Sequence, residues 1–321
     1  MFATTLRISL RGGKRCIDIS AIGAKNGQGF GAKMEQQKGM TGTVMIFGLG
    51  YTGQYLAHRL RADGWRVCST KRAGGGGAIA FEDGHAVQAA VRAATHVVVS
   101  TPPDGDADPV LARYGAVLDS FSGWTGYLSS TGVYGDTGGA WVDETAATGM
   151  GRRTARALAD AAWLARGARV FRLPGIYGPG RSALERLQEG RAVRVDAPGQ
   201  VFSRIHVDDI VRGVIAGFGG PPGAYNLADD APCGQNAVID YAAALLGVAP
   251  PPMVRLEDAG LSAMARGFYA ENRRVANGKA QRLLGWRPVY ADFRAGLRAV
   301  MASINPPSAS TAPIIATGPQ R

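Results

Sequence analysis

The sequence predicts an α/β fold, a doubly wound parallel sheet with a smaller C-terminal lobe. Three observations carry this. A glycine turn, Gly48-Leu49-Gly50-Tyr51-Thr52-Gly53, stands between an apolar β-branched segment and a helical pattern. Strand-like and helix-like patterns then alternate as far as Ala224–Leu227, the order expected of a parallel sheet with crossover helices. Beyond Gly178 the connections lengthen and Pro/Gly breaks multiply. Insertions of that kind form a lobe above the carboxyl ends of the strands, where ligands bind in open α/β sheets.

The first strand, Thr43-Val44-Met45-Ile46-Phe47, is apolar throughout, as a strand buried on both faces must be. Tyr55, Leu56 and Leu60 then recur at helical spacing up to Gly64, a C-cap candidate. Further strands are expected at Arg66–Ser69, Ala78–Phe81, His96–Ser100, Gly126–Ser129, Val170–Leu173 and Ala224–Leu227. Helices are expected at Ala86–Ala93, Val110–Phe121, Arg153–Ala165 and His206–Phe218.

A G-x-G-x-x-G turn between strand and helix is the Rossmann dinucleotide-binding arrangement. Gly48 permits the tight turn, Gly50 lets backbone amides approach a pyrophosphate, and Gly53 lets the helix pack on the strand. Tyr51 and Thr52 lie at the helix N-terminus, which faces the anion. An NAD-binding chain places an acid about twenty residues on, to accept from the ribose 2′-OH. Here no carboxylate occurs between Asp63 and Glu82, and Thr70-Lys71-Arg72 follows the second strand. A hydroxyl and two cations suit a 2′-phosphate, so NADP is expected over NAD.

Composition narrows the rest. The chain has 321 residues, 46% of them hydrophobic, and a formal net charge of +11. No apolar run approaches the roughly 18–20 residues of a membrane span. Three cysteines, Cys16, Cys68 and Cys233, are far apart, which argues against a disulfide framework or a zinc site and for a reducing, cytoplasmic setting. The four histidines are scattered, so no metal is expected. Seven of the basic residues, against two acids, lie in residues 1–40. The remainder are isolated arginines with no basic helix or aromatic-interleaved stripe, which disfavours nucleic acid and suits a small anionic substrate.

Residues 1–39 are Gly- and Lys-rich without helical periodicity or a signal-peptide core, and read as a disordered basic extension. Met40 or Met34 is a natural start. The expected core is 40–177, its sheet completed by about 206–230, with 178–205 and 231–302 as the substrate lobe. Residues 303–321 read as a flexible tail.

Ser129-Ser130-Thr131-Gly132-Val133-Tyr134-Gly135, followed by Asp143-Glu144-Thr145, closely resembles a segment of the extended short-chain dehydrogenase/reductase superfamily, the NAD-dependent epimerase/dehydratase group. Arg172 to Arg181, Arg204 to Ile210, Tyr225-Asn226-Leu227-Ala228 and Leu283 to Pro288 match its later signatures in order, so the resemblance covers roughly residues 42–300. It implies that Ser130 hydrogen-bonds the reacting oxygen. It implies that Ser100, Thr101 and Pro102 line the cofactor's ribose and pyrophosphate, and that Pro174 packs beside the nicotinamide. Asp83 or Glu82 falls near the adenine amino group. Asp208 and Asp209 are better read as N-caps of the helix that follows.

The resemblance breaks at one helix. The family uses a Tyr-x-x-x-Lys pair there, one turn apart, the lysine lowering the tyrosine pKa. Matching Asp160 to the family's acidic residue places Arg152 at the tyrosine and Arg156 at the lysine. Only Lys71 and Lys279 occur after residue 40, and neither has a tyrosine four residues before it. Arg156 can supply charge and a ribose contact; Arg152 cannot shuttle protons near neutral pH. The chain thus resembles an atypical branch that lacks the dyad. Tyr134 and Tyr177, on loops expected near the nicotinamide, are the candidate proton donors, each with an equal claim to be a packed aromatic.

Arg181 and Arg204 are candidate substrate contacts, with Arg273 and Arg274 as further bidentate forks. A cluster of such arginines in one cleft is what would raise them above ordinary surface residues. The leading expectation is an NADP-dependent oxidoreductase or epimerase/dehydratase acting on a small anionic or sugar-nucleotide-like substrate. The alternative is a non-catalytic NADP(H)-binding sensor or scaffold. The resemblance leaves a helix-mediated homodimer open.

Overall fold

The computed structural model describes Leu10–Arg11, Lys14–Arg15 and residues 41–152 and 154–304. The chain divides into two compact units, residues 1–41 and 42–321. In the first, Leu10–Arg11 pairs antiparallel with Lys14–Arg15. The expected disorder of 1–39 and the expected tail otherwise fall outside the described residues.

The second unit carries a seven-stranded sheet. Its strands are β1 (Thr43–Phe47), β2 (Arg66–Lys71), β3 (Ile79–Ala80), β4 (His96–Val99), β5 (Trp124–Ser130), β6 (Arg169–Leu173) and β7 (Gly223–Asn226). They run in the order β7-β6-β5-β4-β1-β2-β3, every pair parallel. This is the doubly wound Rossmann order, with the reversal between β1 and β4 where such sheets hold ligands.

Strand alternation sends successive side chains to opposite faces. Val44 and Ile46 of β1 join one core cluster, which α1 (Tyr51–Ala62), α6 (Val207–Ala216) and α9 (Gly278–Leu284) cover. Met45 and Phe47 join the other, beneath α2 (Gly84–Ala93), α3 (Pro109–Asp119) and α4 (Thr154–Ala165). All five β1 residues are buried, each large apolar side chain contributing about 1.5–3 kcal/mol. A third cluster unites α5 (Ala183–Gln188), α7 (Gln235–Leu246) and α10 (Phe293–Ile304) around Leu184, Val238 and Leu297.

All seven expected strands form, with shifted ends. The third shrinks to Ile79–Ala80 because Gly74 to Gly77, each at positive φ, turn the chain until then. The helix expected over Val110–Phe121 stops at Asp119, while that over His206–Phe218 starts at Val207 and tightens after Ala216 into a 3₁₀ turn. Arg153, the expected start of α4, lies outside the described residues. The expected N-caps Asp208 and Asp209 are corrected: His206 Nδ1 accepts the Asp208 N–H at 3.2 Å. Asp209 is instead buried, its carboxylate accepting the N–H groups of Val289 and Tyr290 at 2.8 and 3.0 Å. A capping motif read along the chain could not show that distant partner.

Candidate active site

A cleft of about 1000 Å³ opens at the carboxyl ends of β1, β4, β5 and β6. Gly50, Tyr51 and Thr52 line it from the glycine turn, Ser100 and Pro102 from the end of β4, Ser130 from the end of β5, and Pro174 from the end of β6. The N-terminus of α1 points here uncapped: Gly50 is its N-cap, no side chain bonds to it, and no acid occupies the first turn. A methyl group added at Gly50 would meet nothing within 4 Å, whereas one at Gly53 would collide with the Gly48 carbonyl. The turn is thus closed behind and open in front, which fits a pyrophosphate at a helix N-terminus.

The second strand braces this turn. The Gly48 N–H donates to Thr70 Oγ1 at 3.1 Å, and the Leu49 N–H to the Thr70 carbonyl at 2.9 Å. Thr70 is 1% exposed. That corrects its expected place beside a 2′-phosphate, for its hydroxyl serves the loop instead. Thr101 packs behind Gly48, where a Cβ would come within 2.7 Å of its Oγ1. Lys71 ends β2 and Arg72 follows it, half-buried and exposed respectively, and neither lines the cavity.

Ser130 Oγ accepts the Gly132 N–H at 3.1 Å, which orients the hydroxyl and leaves its hydrogen without an acceptor among the described residues. Tyr134 is corrected as a proton donor. Its hydroxyl donates to Asn226 Oδ1 at 2.7 Å and accepts from Arg172 Nη1 at 3.0 Å, deep in the core, where burial raises its pKa. Tyr177 borders the cleft, but its hydroxyl lies against Gly296 of α10 with no hydrogen-bond partner among the described residues. Burial raises its pKa as well, so it is a weak donor at neutral pH.

Arg152 lies before the start of α4 and Arg156 in its first turn, and the two face different partners. Arg156 borders the cleft and donates from Nη1 to the Tyr127 hydroxyl at 2.8 Å and the Leu128 carbonyl at 3.3 Å. Arg152 instead meets the helix α8 (Ala263–Tyr269) and the segment after it. Its backbone N–H donates to Glu271 Oε1 at 3.2 Å, its guanidinium lies 5.4 Å from the Phe268 ring centroid, and a Cβ on Gly267 would come within 2.6 Å of Nη1. Asp83, expected near adenine, caps α2 through the Ala86 N–H, and Glu82 pairs with Arg113 at 2.7 Å.

Sequence reasoning missed how many arginines share this cleft. Arg181 and Arg204 both line it, and so do Arg186, Arg191 and Arg273. Arg274 does not, being bonded to the Gly139 carbonyl. Only Glu185 and Glu271 line it as acids, and both are engaged. Glu185 completes a capping box with Ser182, and Glu271 pairs with Arg273 at 2.9 Å. The signal was the rarity of lysine beside so many arginines, but only folding brings 181, 186 and 204 together. No group of three metal-ligating side chains occurs among the described residues, and no helix among them is long and apolar enough to cross a membrane.

Comparison with known proteins follows the same line. A conserved protein of unknown function from Silicibacter pomeroyi DSS is 41% identical to this chain. The match covers 82% of this chain and 99% of that one, with a TM-score of 0.72. The chain belongs to that protein's family. Two more distant structures share the fold. dTDP-glucose 4,6-dehydratase from Bacillus anthracis, in complex with NAD, is 16% identical over 82% of this chain and 97% of its own, with a TM-score of 0.68. A human epimerase family protein with NADPH is 15% identical over 80% and 98%, with a TM-score of 0.64. A 3-diazoavenalumate denitrifying reductase from a Streptomyces species is 30% identical over 140 residues, 40% of this chain. That match spans somewhat less than half of the reductase, 45% of its length. No protein-family model matches the chain.

Proposed function

We propose that this chain binds NADP(H) and acts as an atypical short-chain oxidoreductase on a small anionic substrate. One observation carries the reading: the glycine turn and the arginines line one continuous cavity, so cofactor and anion would meet in it. The structural neighbours in complex with NAD and with NADPH support a nicotinamide cofactor, and the partial likeness to a reductase supports the reaction class.

Gly50, Tyr51 and Thr52 would hold the pyrophosphate, Lys71 and Arg72 the 2′-phosphate, and Pro174 and Arg156 the nicotinamide riboside. The bound nicotinamide supplies hydride transfer. Ser130 polarises the reacting oxygen with its unengaged O–H, while Arg156, held by Tyr127 and Leu128, fixes positive charge beside it. The proton then comes from solvent or from the substrate, since Tyr134 is locked and Arg152 does not line the cleft.

The same two facts favour a second reading, a non-catalytic NADP(H) sensor or scaffold. Replacing Lys71 and Arg72 by Ala separates cofactor from chemistry. NADPH affinity is expected to fall at least tenfold with NADH affinity nearly unchanged; equal losses defeat the NADP assignment. NADPH binding without turnover across a broad panel of carbonyl acids and nucleotide sugars would leave the sensor.

A further inference from the structure

Arg204 is 7% exposed and borders the cleft, yet it forms no ion pair among the described residues. Its Nη1 donates to the carbonyls of Phe202 and Cys233 at 2.9 and 3.1 Å, and its Nη2 to Gln235 Oε1 at 3.0 Å. All are neutral acceptors. Asp229 is the carboxylate whose charge Arg204 relieves, but it makes no ion pair with it, so a buried cation held by neutral groups lines the cavity. Arg186 borders the same cavity, likewise without an ion pair among the described residues. Its pKa is lowered by burial and then by the charges of Arg191, Arg204 and Arg181, which shows how closely the cations crowd.

The walls beside these cations are aromatic and apolar. The Arg204 guanidinium stands 5.8 Å from the Phe202 ring centroid, and Phe202 meets Tyr269 edge to face at 5.4 Å. Met264 and Phe268 also border the cavity, 69% and 44% exposed, although α8 buries none of its residues.

We propose that this part of the cleft is a subsite for a small aromatic acid, its carboxylate at Arg204 and Arg186 and its ring against Phe202 and Tyr269. The proposal deepens the anionic-substrate reading and rests on the cleft being a ligand site. The Arg204 guanidinium supplies the charge, and the Phe202–Tyr269 corner supplies a face for a flat body.

The test is calorimetric titration of the full chain, with and without NADPH, using 2-naphthoate, 2-naphthalenemethanol, inorganic phosphate and UDP-glucose. Naphthoate is expected to bind at least tenfold more tightly than the neutral alcohol or phosphate. Arg186→Gln and Phe202→Ala are each expected to weaken it at least fivefold, and Arg204→Gln more. Arg186 makes no side-chain hydrogen bond or ion pair among the described residues, so its variant serves even where the Arg204 variant fails to fold. Equal binding of acid and alcohol, or naphthoate affinity untouched by Arg186→Gln and Phe202→Ala, overturns the proposal. Tighter binding of UDP-glucose that depends on Arg186 and Arg204 overturns the aromatic-acid class. NADPH heats in the same series report the cofactor reading separately.

Discussion

Arg172 on β6 grips Asp160 on α4 with both ends of its guanidinium, Nη2 to Oδ1 at 2.7 Å and Nε to Oδ2 at 3.1 Å. Both side chains are nearly inaccessible, at 4% and 2% exposure. Ser129 Oγ donates to the same carboxylate at 2.6 Å, and Arg172 continues to Tyr134 and thence Asn226. One buried network therefore ties β5, β6, β7 and α4 together beneath the cleft. Removing only the acid strands a buried cation. Asp160→Ala is expected to cost about 3–5 kcal/mol in urea unfolding; a loss under 1 kcal/mol would show that the network is dispensable.

Arg152→Ala is expected to loosen α8 without melting α4. Deuterium exchange of amides in Ala263–Tyr269 should quicken at least fivefold, with Thr154–Ala165 unchanged. The physical reason is that α8 buries no residue of its own and is seated through Phe268, Gly267 and Glu271. Unchanged exchange in α8 would mean that Arg152 does not seat it.

Ser130→Ala tests the chemistry. NADPH affinity should stay within about threefold, while any turnover found falls about a hundredfold. Undiminished turnover would remove Ser130 from the reaction.

Stability should depend on pH through two groups of opposite sign. Burial, and then the charge of Arg169, lower the His96 pKa to about 4 from 6.5. The neutral ring is the folded form, so this contribution is whole above pH 6.5 and is lost as pH falls through 4. His96→Phe should flatten the unfolding profile in that window.

Asp229 behaves in reverse. Burial raises it to about 7 from 3.8, against the partial relief of Arg204. Its contribution is whole below pH 3.8 and is lost as pH rises through 7. Asp229→Asn should therefore gain roughly 1–3 kcal/mol at pH 8 relative to its effect at pH 4. A gain that is the same at both pH values would show that Asp229 does not titrate in this window.

The sheet was legible because its signals are local. The apolar run Thr43–Phe47, the glycines after it and the period of each helix are all read within a dozen residues. Helix caps and the fate of single polar groups were less so. Thr70, Tyr134 and Asp209 each satisfy a partner many residues away, Gly48, Asn226 and Val289 in turn. Hydroxyls and carboxylates look alike in sequence whether they face a ligand or brace a loop. Arg204 shows the converse: its cationic character was plain, but the neutral acceptors around it emerge only on folding.

Arg152, before the start of α4, and Arg156, in its first turn, hold opposite neighbours, one the segment around Glu271 and the other the floor of the cleft at Leu128. The entry to α4 and its first turn thereby grip two separate walls. A shift of the α8 wall would bear on Arg152, four positions along the chain from the cation at the cleft floor. The seat of one wall and the charge at the floor of the other are thus set within five residues of chain.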